Sequence, residues 1–258
     1  MRLAFIAIAV LPLSCVGGTG GQTLDFDAAA SGPVDARAGR ALEFDASHDW
    51  HVSLASARLH IGAIYLADSA PVSGAQDTSC QLPGSYLAEV REGLDVDLLS
   101  GAPQPFPVRG KGITGEALAA QIWLTSGEVN ALDDPPKPAV ILELAGTATR
   151  QGEARPFRAS LTIAGNRVIA GGGAAGGATI CKQRIVTRQL ALQVEAEGML
   201  RLRVDPRRLL TNVDFGALSR NGAGYVFQDD DSDQPSANLY NNLRGGDAYR
   251  FSWEPRLE

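Results

Sequence analysis

Cysteine and histidine are scarce in this 258-residue chain, at 3 each. No apolar stretch approaches the roughly 18 residues that a membrane-spanning helix needs, and Leu3–Leu11 is too short to cross a bilayer. Lys and Arg are outnumbered, 23 against 29 acidic residues, and form no cluster. With a net charge of -6, no Lys/Arg cluster in the sequence is available to replace phosphate counterions, which argues against a nucleic-acid partner, and the acidity reads as solubility. No Cys-x-x-Cys pair marks a redox site, and no Gly-x-Ser-x-Gly elbow marks a serine hydrolase. All histidines fall between residues 48 and 60, so a Ser-His-Asp site would have to be built around that segment alone.

The sequence opens on a positive n-region, Arg2, followed by the apolar Leu3–Leu11 and a small residue, Ser14, before Cys15. This arrangement resembles bacterial lipoprotein signals, with Pro12 where the usual box has Leu or Val and Leu11 displaced by one. The expected division is a signal over 1–14, a lipidated Cys15 with a flexible Gly-rich tether over 15–22, and one folded domain over 23–258. An ordinary signal cut near Gly17-Gly18 is the other reading. The resemblance implies acylation of Cys15, and Val16, being no Asp, favours the outer membrane. Membrane lipid, held through the acylated Cys15, is then the first partner, with an envelope protein as a second.

Assigning Cys15 to lipid leaves Cys80 and Cys181 as a pair in an exported chain, for which a disulfide is expected. Closing a loop of about 100 residues would contribute up to ~4.7 kcal/mol in the chain-entropy description.

Apolar and polar residues alternate in short segments. They do so over Thr23–Asp27, Arg40–Asp45, Gln189–Val194 and Leu200–Val204, and again in the closing Ala248–Trp253. Residues 139–149 and 156–163 read as a hairpin about Gln151-Gly152, and 189–194 with 200–204 as a second one about Glu197-Gly198. In the long run 50–66 the apolar set changes face near Ala57, which calls for a β-bulge or for passage between two sheets. Residues 117–125 fit a strand or a short helix, and the bracketing Gly115 and Gly127 favour the strand. One helical turn is expected at Pro206–Leu210, and 67–86 is expected to form a long loop. The fold class is therefore all-β, an antiparallel β-sandwich-like single domain.

Residues Asp49–Leu66, Val96–Leu99, Val213–Phe215 and Tyr249–Trp253 together resemble a group of uncharacterised bacterial outer-membrane lipoproteins. That resemblance implies the anchor and a β-rich fold but no activity. Members often carry His-rich stretches in the loop after the long strand, whereas residues 67–86 here contain none. A shorter stretch, Phe44 to Leu66, resembles periplasmic copper-binding proteins associated with methanobactin uptake, which employ His ligands and an oxidised Trp.

Two metal-ligand patterns stand out. His48 and His51, around a turn with Asp49 or Asp45, offer imidazole and carboxylate ligands suited to copper or zinc, against the alternative of polar turn residues at the start of a strand. His60 is too far along an extended strand to join them, roughly 30 Å from His51. Asp229, Asp231 and Asp233 have the alternate spacing of a calcium loop. Gln234 stands where such a loop needs Gly, and Tyr240 where it needs Glu, so a solvated acidic loop is the stronger reading. Trp50, Trp123 and Trp253 serve as core anchors or as a carbohydrate platform. The expectation is a lipid-anchored binding or structural protein without catalysis and without a resident cofactor. Copper, zinc or calcium binding and an envelope hydrolase are the alternatives.

Overall fold

The computed structural model describes residues 21–69, 86–124, 140–162, 184–229 and 232–254. Cys15, Cys80, Cys181 and Asp231 lie outside these, as does most of the tether. Among the described residues no helix is long and apolar enough to cross a membrane.

The domain is built of two packed sheets. The larger takes β1 (Thr23–Ser31), β4 (Ala63–Ala67), β5 (Tyr86–Val90), β7 (Gln104–Pro105), β8 (Gly110–Ile113), β9 (Gly115–Trp123), β12 (Arg184–Val194), β13 (Met199–Val204) and β16 (Tyr249–Glu254). Their order is β12-β9-β4-β5-β8-β1-β13-β16, with β7 attached to β1. The smaller takes β2 (Leu42–Asp45), β3 (His51–Ile61), β6 (Leu94–Asp97), β10 (Val140–Arg150), β11 (Glu153–Thr162), β14 (Ser219–Asn221) and β15 (Gly224–Val226). Its order is β14-β15-β11-β10-β3-β2, with β6 attached to β3. The pairing is antiparallel except between β1 and β13 and between β11 and β15. The expected all-β sandwich-like architecture is the observed one.

The run from His51 to Ala67 joins the two layers. Val52, Leu54, Ala57, Leu59 and Ile61 are buried on one face of β3, and the change of face comes from a bulge at Ala55, where the register against β10 slips. After Gly62 the chain leaves the smaller sheet and continues as β4 in the larger, so the segment both bulges and changes sheets. The hairpin of β10 and β11 turns through Gln151 (φ 51°) and Gly152 (φ 83°), the pair of positive φ values that a two-residue turn needs to match strand twist. The other expected hairpin does not form. β12 pairs with β9, while β13 inserts between β1 and β16. Alternation fixed which faces are buried but could not name the partner strand.

Two short helices close one end. Asp205 accepts from the backbone N–H of Arg207 at the start of α1 (Pro206–Leu209). Asp233 caps α2 (Gln234–Arg244) by accepting from Ser236 N at 2.8 Å, and Pro235 sits in the first turn. Leu239 and Leu243, one turn apart, seal α2 onto the core. The helix begins where the acidic run 228–234, expected as loop, ends.

Candidate functional site

Between β2 and β3 the chain turns through Ala46–Trp50, with Ala46 N donating to Trp50 O at 2.7 Å. His48 (φ 61°) and Asp49 (φ 60°) are consecutive non-glycine residues in the left-handed region, and both side chains are exposed. For L-residues that conformation costs about 1–2 kcal/mol each. Exposed polar side chains return little of this, so the surroundings must hold the turn.

They do so from distant parts of the chain. Trp50, 1% exposed, packs its ring edge-on against Phe215 with centroids 6.0 Å apart. Its indole Nε1 donates to Asp214 Oδ1 at 3.2 Å. The Arg150 guanidinium lies 4.3 Å over the Trp50 ring and donates to His48 O at 3.2 Å. Arg155 approaches Trp50 at 5.6 Å and covers Tyr225 at 4.7 Å, while donating to Phe215 O and Gly216 O. On the other flank Asn212 N donates to Ser47 Oγ at 3.0 Å. Burial opposes ionisation of Asp214, but hydrogen bonds from Gly216 N and the Trp50 indole, with the charges of His48 and Arg150, outweigh it and hold the carboxyl below its ordinary value.

His51 heads β3 and faces two acids. Its Nδ1 lies 2.9 Å from Asp45 Oδ1 and its Nε2 lies 3.2 Å from Glu43 Oε2, while Ser53 Oγ donates to Glu43 Oε1 at 2.7 Å. Both ring nitrogens can donate only in the imidazolium. The Asp45 hydrogen bond foremost, with Glu43 assisting against a smaller desolvation effect, raises the His51 pKa. A raised imidazole pKa adds stability that is complete below the unfolded-state value and is lost as pH rises through the folded one. Asp45→Asn is therefore expected to lower the His51 midpoint in an NMR titration and to flatten the decline in stability as pH rises past the ordinary imidazole value of 6.5. An unchanged midpoint would contradict this pairing.

The sequence-predicted ligands are thus partly gathered. His48 and Asp49 lie on one exposed turn and His51 heads the strand that follows it, while Asp45 and Glu43 sit at opposite ring nitrogens of His51 and so cannot both share one ion with it. Among the described residues no group of three or more His, Cys, Asp or Glu side chains is placed to hold a metal. His60 contacts Asp95 at 2.7 Å towards the other end of β3. Asp229 fastens the end of β11, accepting from Thr162 N at 2.8 Å and from Thr162 Oγ1 at 2.5 Å. Asp233 is occupied at the α2 N-terminus and by Ser219 Oγ. Of the tryptophans, Trp50 and Trp123 are buried and Trp253 is half-buried against Phe26, as core anchors would be.

A groove of about 420 Å³ runs beside the turn, lined by Phe44, Asp45 and Ser47 on one side and Asp205, Arg208 and Leu210 on the other. Arg207 is tied down at its edge by Asp205 and Asp35, each at 2.8 Å, whereas Arg208 is exposed. The lining therefore offers both signs of charge around a small apolar floor.

Fold and site together define a two-sheet, all-β domain with a constrained surface turn beside a polar groove. No protein-family model and no curated protein matches the chain. Among solved structures it is similar to MbnP from Methylosinus trichosporium, at 13% sequence identity and a TM-score of 0.44, over 90% of this chain and 98% of that one. Likeness at that level transfers no chemistry.

Proposed function

We propose that the chain is an envelope-binding protein, lipid-anchored through Cys15 at the outer membrane, that takes a small polar ligand in the groove beside the Ala46–Trp50 turn. The observation that carries the reading is two adjacent left-handed non-glycine residues, His48 and Asp49, held in place by residues from two other parts of the chain, Arg150 and the Asn212–Asp214 segment. Strain maintained at a surface, beside a groove with polar walls, is what a preorganised binding site requires. Native mass spectrometry of the full chain recovered from its own cells tests the groove. A bound mass is expected on the wild type and is expected to disappear on Ala46→Trp and on Arg208→Glu; identical spectra for all three would count against it. Labelling cells with a clickable palmitate tests the anchor, which requires label on the wild type and none on Cys15→Ala.

A second reading, copper or zinc binding through His48 and His51, is favoured by two exposed imidazoles three residues apart, one on the turn and one at the head of β3. It requires His51 to give up a proton and one carboxylate, so affinity would climb with pH. Elemental analysis finding no copper or zinc on the purified chain, with no change on His51→Ala, would remove it.

A further inference from the structure

On the face of the larger sheet turned away from the apolar core, the described residues of β13 and β16 gather three arginines around few acids. β13 and β16 pair so that Arg203 stands directly opposite Arg250, and Arg201 opposite Ser252. Leu200, Leu202 and Val204 alternate with these arginines and lie in the core, so Arg201 and Arg203 point away from it. Like charges directly opposite on neighbouring strands repel, with Cβ atoms only about 5 Å apart.

The neighbouring groups do little to relieve this. On β1 the residues beside Arg201 and Arg203 are Ala29 and Ser31. Asp27, one step along, lies beside Met199 and is paired to Arg109 at 3.1 Å. Asp205, just past the end of β13, is held by Arg207. Glu254 reaches Arg201 Nε at 3.5 Å. Arg201 is 8% exposed, and its Nη1 and the Arg203 Nε are buried with no acceptor among the described residues. Arg250 is exposed, and its Nη1 donates to Tyr249 O at a long 3.4 Å.

We propose that Arg203 and Arg250, backed by Arg201, form a site for a phosphate group. Guanidinium forks match the oxygens of a tetrahedral oxyanion, and an anion between two cross-strand arginines turns their repulsion into two attractions. Phosphate suits the site better than a single carboxylate because up to two negative charges answer three guanidinium groups of which, among the described residues, only Arg201 has a carboxylate partner, Glu254. The source is either free phosphate or the headgroup of an anionic phospholipid. This site is independent of the turn and groove.

The test follows the arginine Nε–Hε NMR signals and the thermal midpoint of the full chain at constant ionic strength. The probes are inorganic phosphate and, separately, the soluble short-chain lipid dihexanoyl-phosphatidylglycerol. Saturable shifts at Arg203 and Arg250 with either probe support the site, and the tighter probe identifies the source. Arg250→Gln is expected to weaken the tighter probe about tenfold. It is also expected to raise the midpoint in the absence of probe, because one repelling partner is gone, an outcome that a purely structural role for Arg250 would reverse. No saturable shift with either probe, or unchanged affinity in Arg203→Gln/Arg250→Gln, would overturn the proposal.

Discussion

Trp50→Ala is expected to lower unfolding stability by about 3–5 kcal/mol, measured by chemical denaturation, because a large side chain 1% exposed leaves a cavity that its neighbours cannot fill. The neighbours identify what else is lost. Phe215 loses its edge-on partner, Arg150 the ring under its guanidinium, and Asp214 one of the donors that keep it ionised. The turn should loosen too, since Arg150 holds His48 O from its place over the Trp50 ring; faster hydrogen exchange at the Ala46 amide would report this. Trp50→Phe retains a ring but no N–H, and about 1–2 kcal/mol is expected for that change. A Trp50→Ala cost under about 1 kcal/mol would mean that the turn is pinned elsewhere.

Gly110→Ala is expected to cost about 1–3 kcal/mol through overpacking. Gly110 is paired with Phe26 across β8 and β1, and a Cβ added there would sit 2.2 Å from Phe26 Cζ. Phe26 cannot swing clear, being 1% exposed and packed against Trp253 at 5.0 Å between centroids. The glycine is required for the space above it, since its φ is outside the left-handed region. Adding Phe26→Leu should restore part of the loss, and a double-mutant cycle with no coupling would refute the contact as the cause.

Much of this architecture was legible because one face of most strands is buried. The passage from β3 to β4 could be read from the change of apolar face near Ala57, and the β10–β11 hairpin from Gln151-Gly152. Partner choice could not, since β12 and β13 alternate as a hairpin would and yet pair with β9 and with β1 and β16. The α2 helix was masked by its acidic approach, although Asp233 as a cap, Pro235 behind it and the Leu239/Leu243 spacing were its signals. At the site, sequence placed His48, Asp49 and His51 on a turn. It was silent on Asp214, which is 164 residues from the Trp50 it binds, and on Arg150 and Arg155. Cation–π and buried indole contacts have no local pattern, because they depend on which strands the topology brings together.

That His48 and Asp49 are held strained for display, and do not stabilise the fold, is tested most directly by the thermal midpoint of His48→Gly. Glycine removes about 1–2 kcal/mol of left-handed strain and gives back about 0.5–1 kcal/mol through the more flexible unfolded chain. The midpoint should therefore hold or rise by a few degrees. A fall as large as that of a core cavity variant would contradict it, and would make the turn a structural fastening.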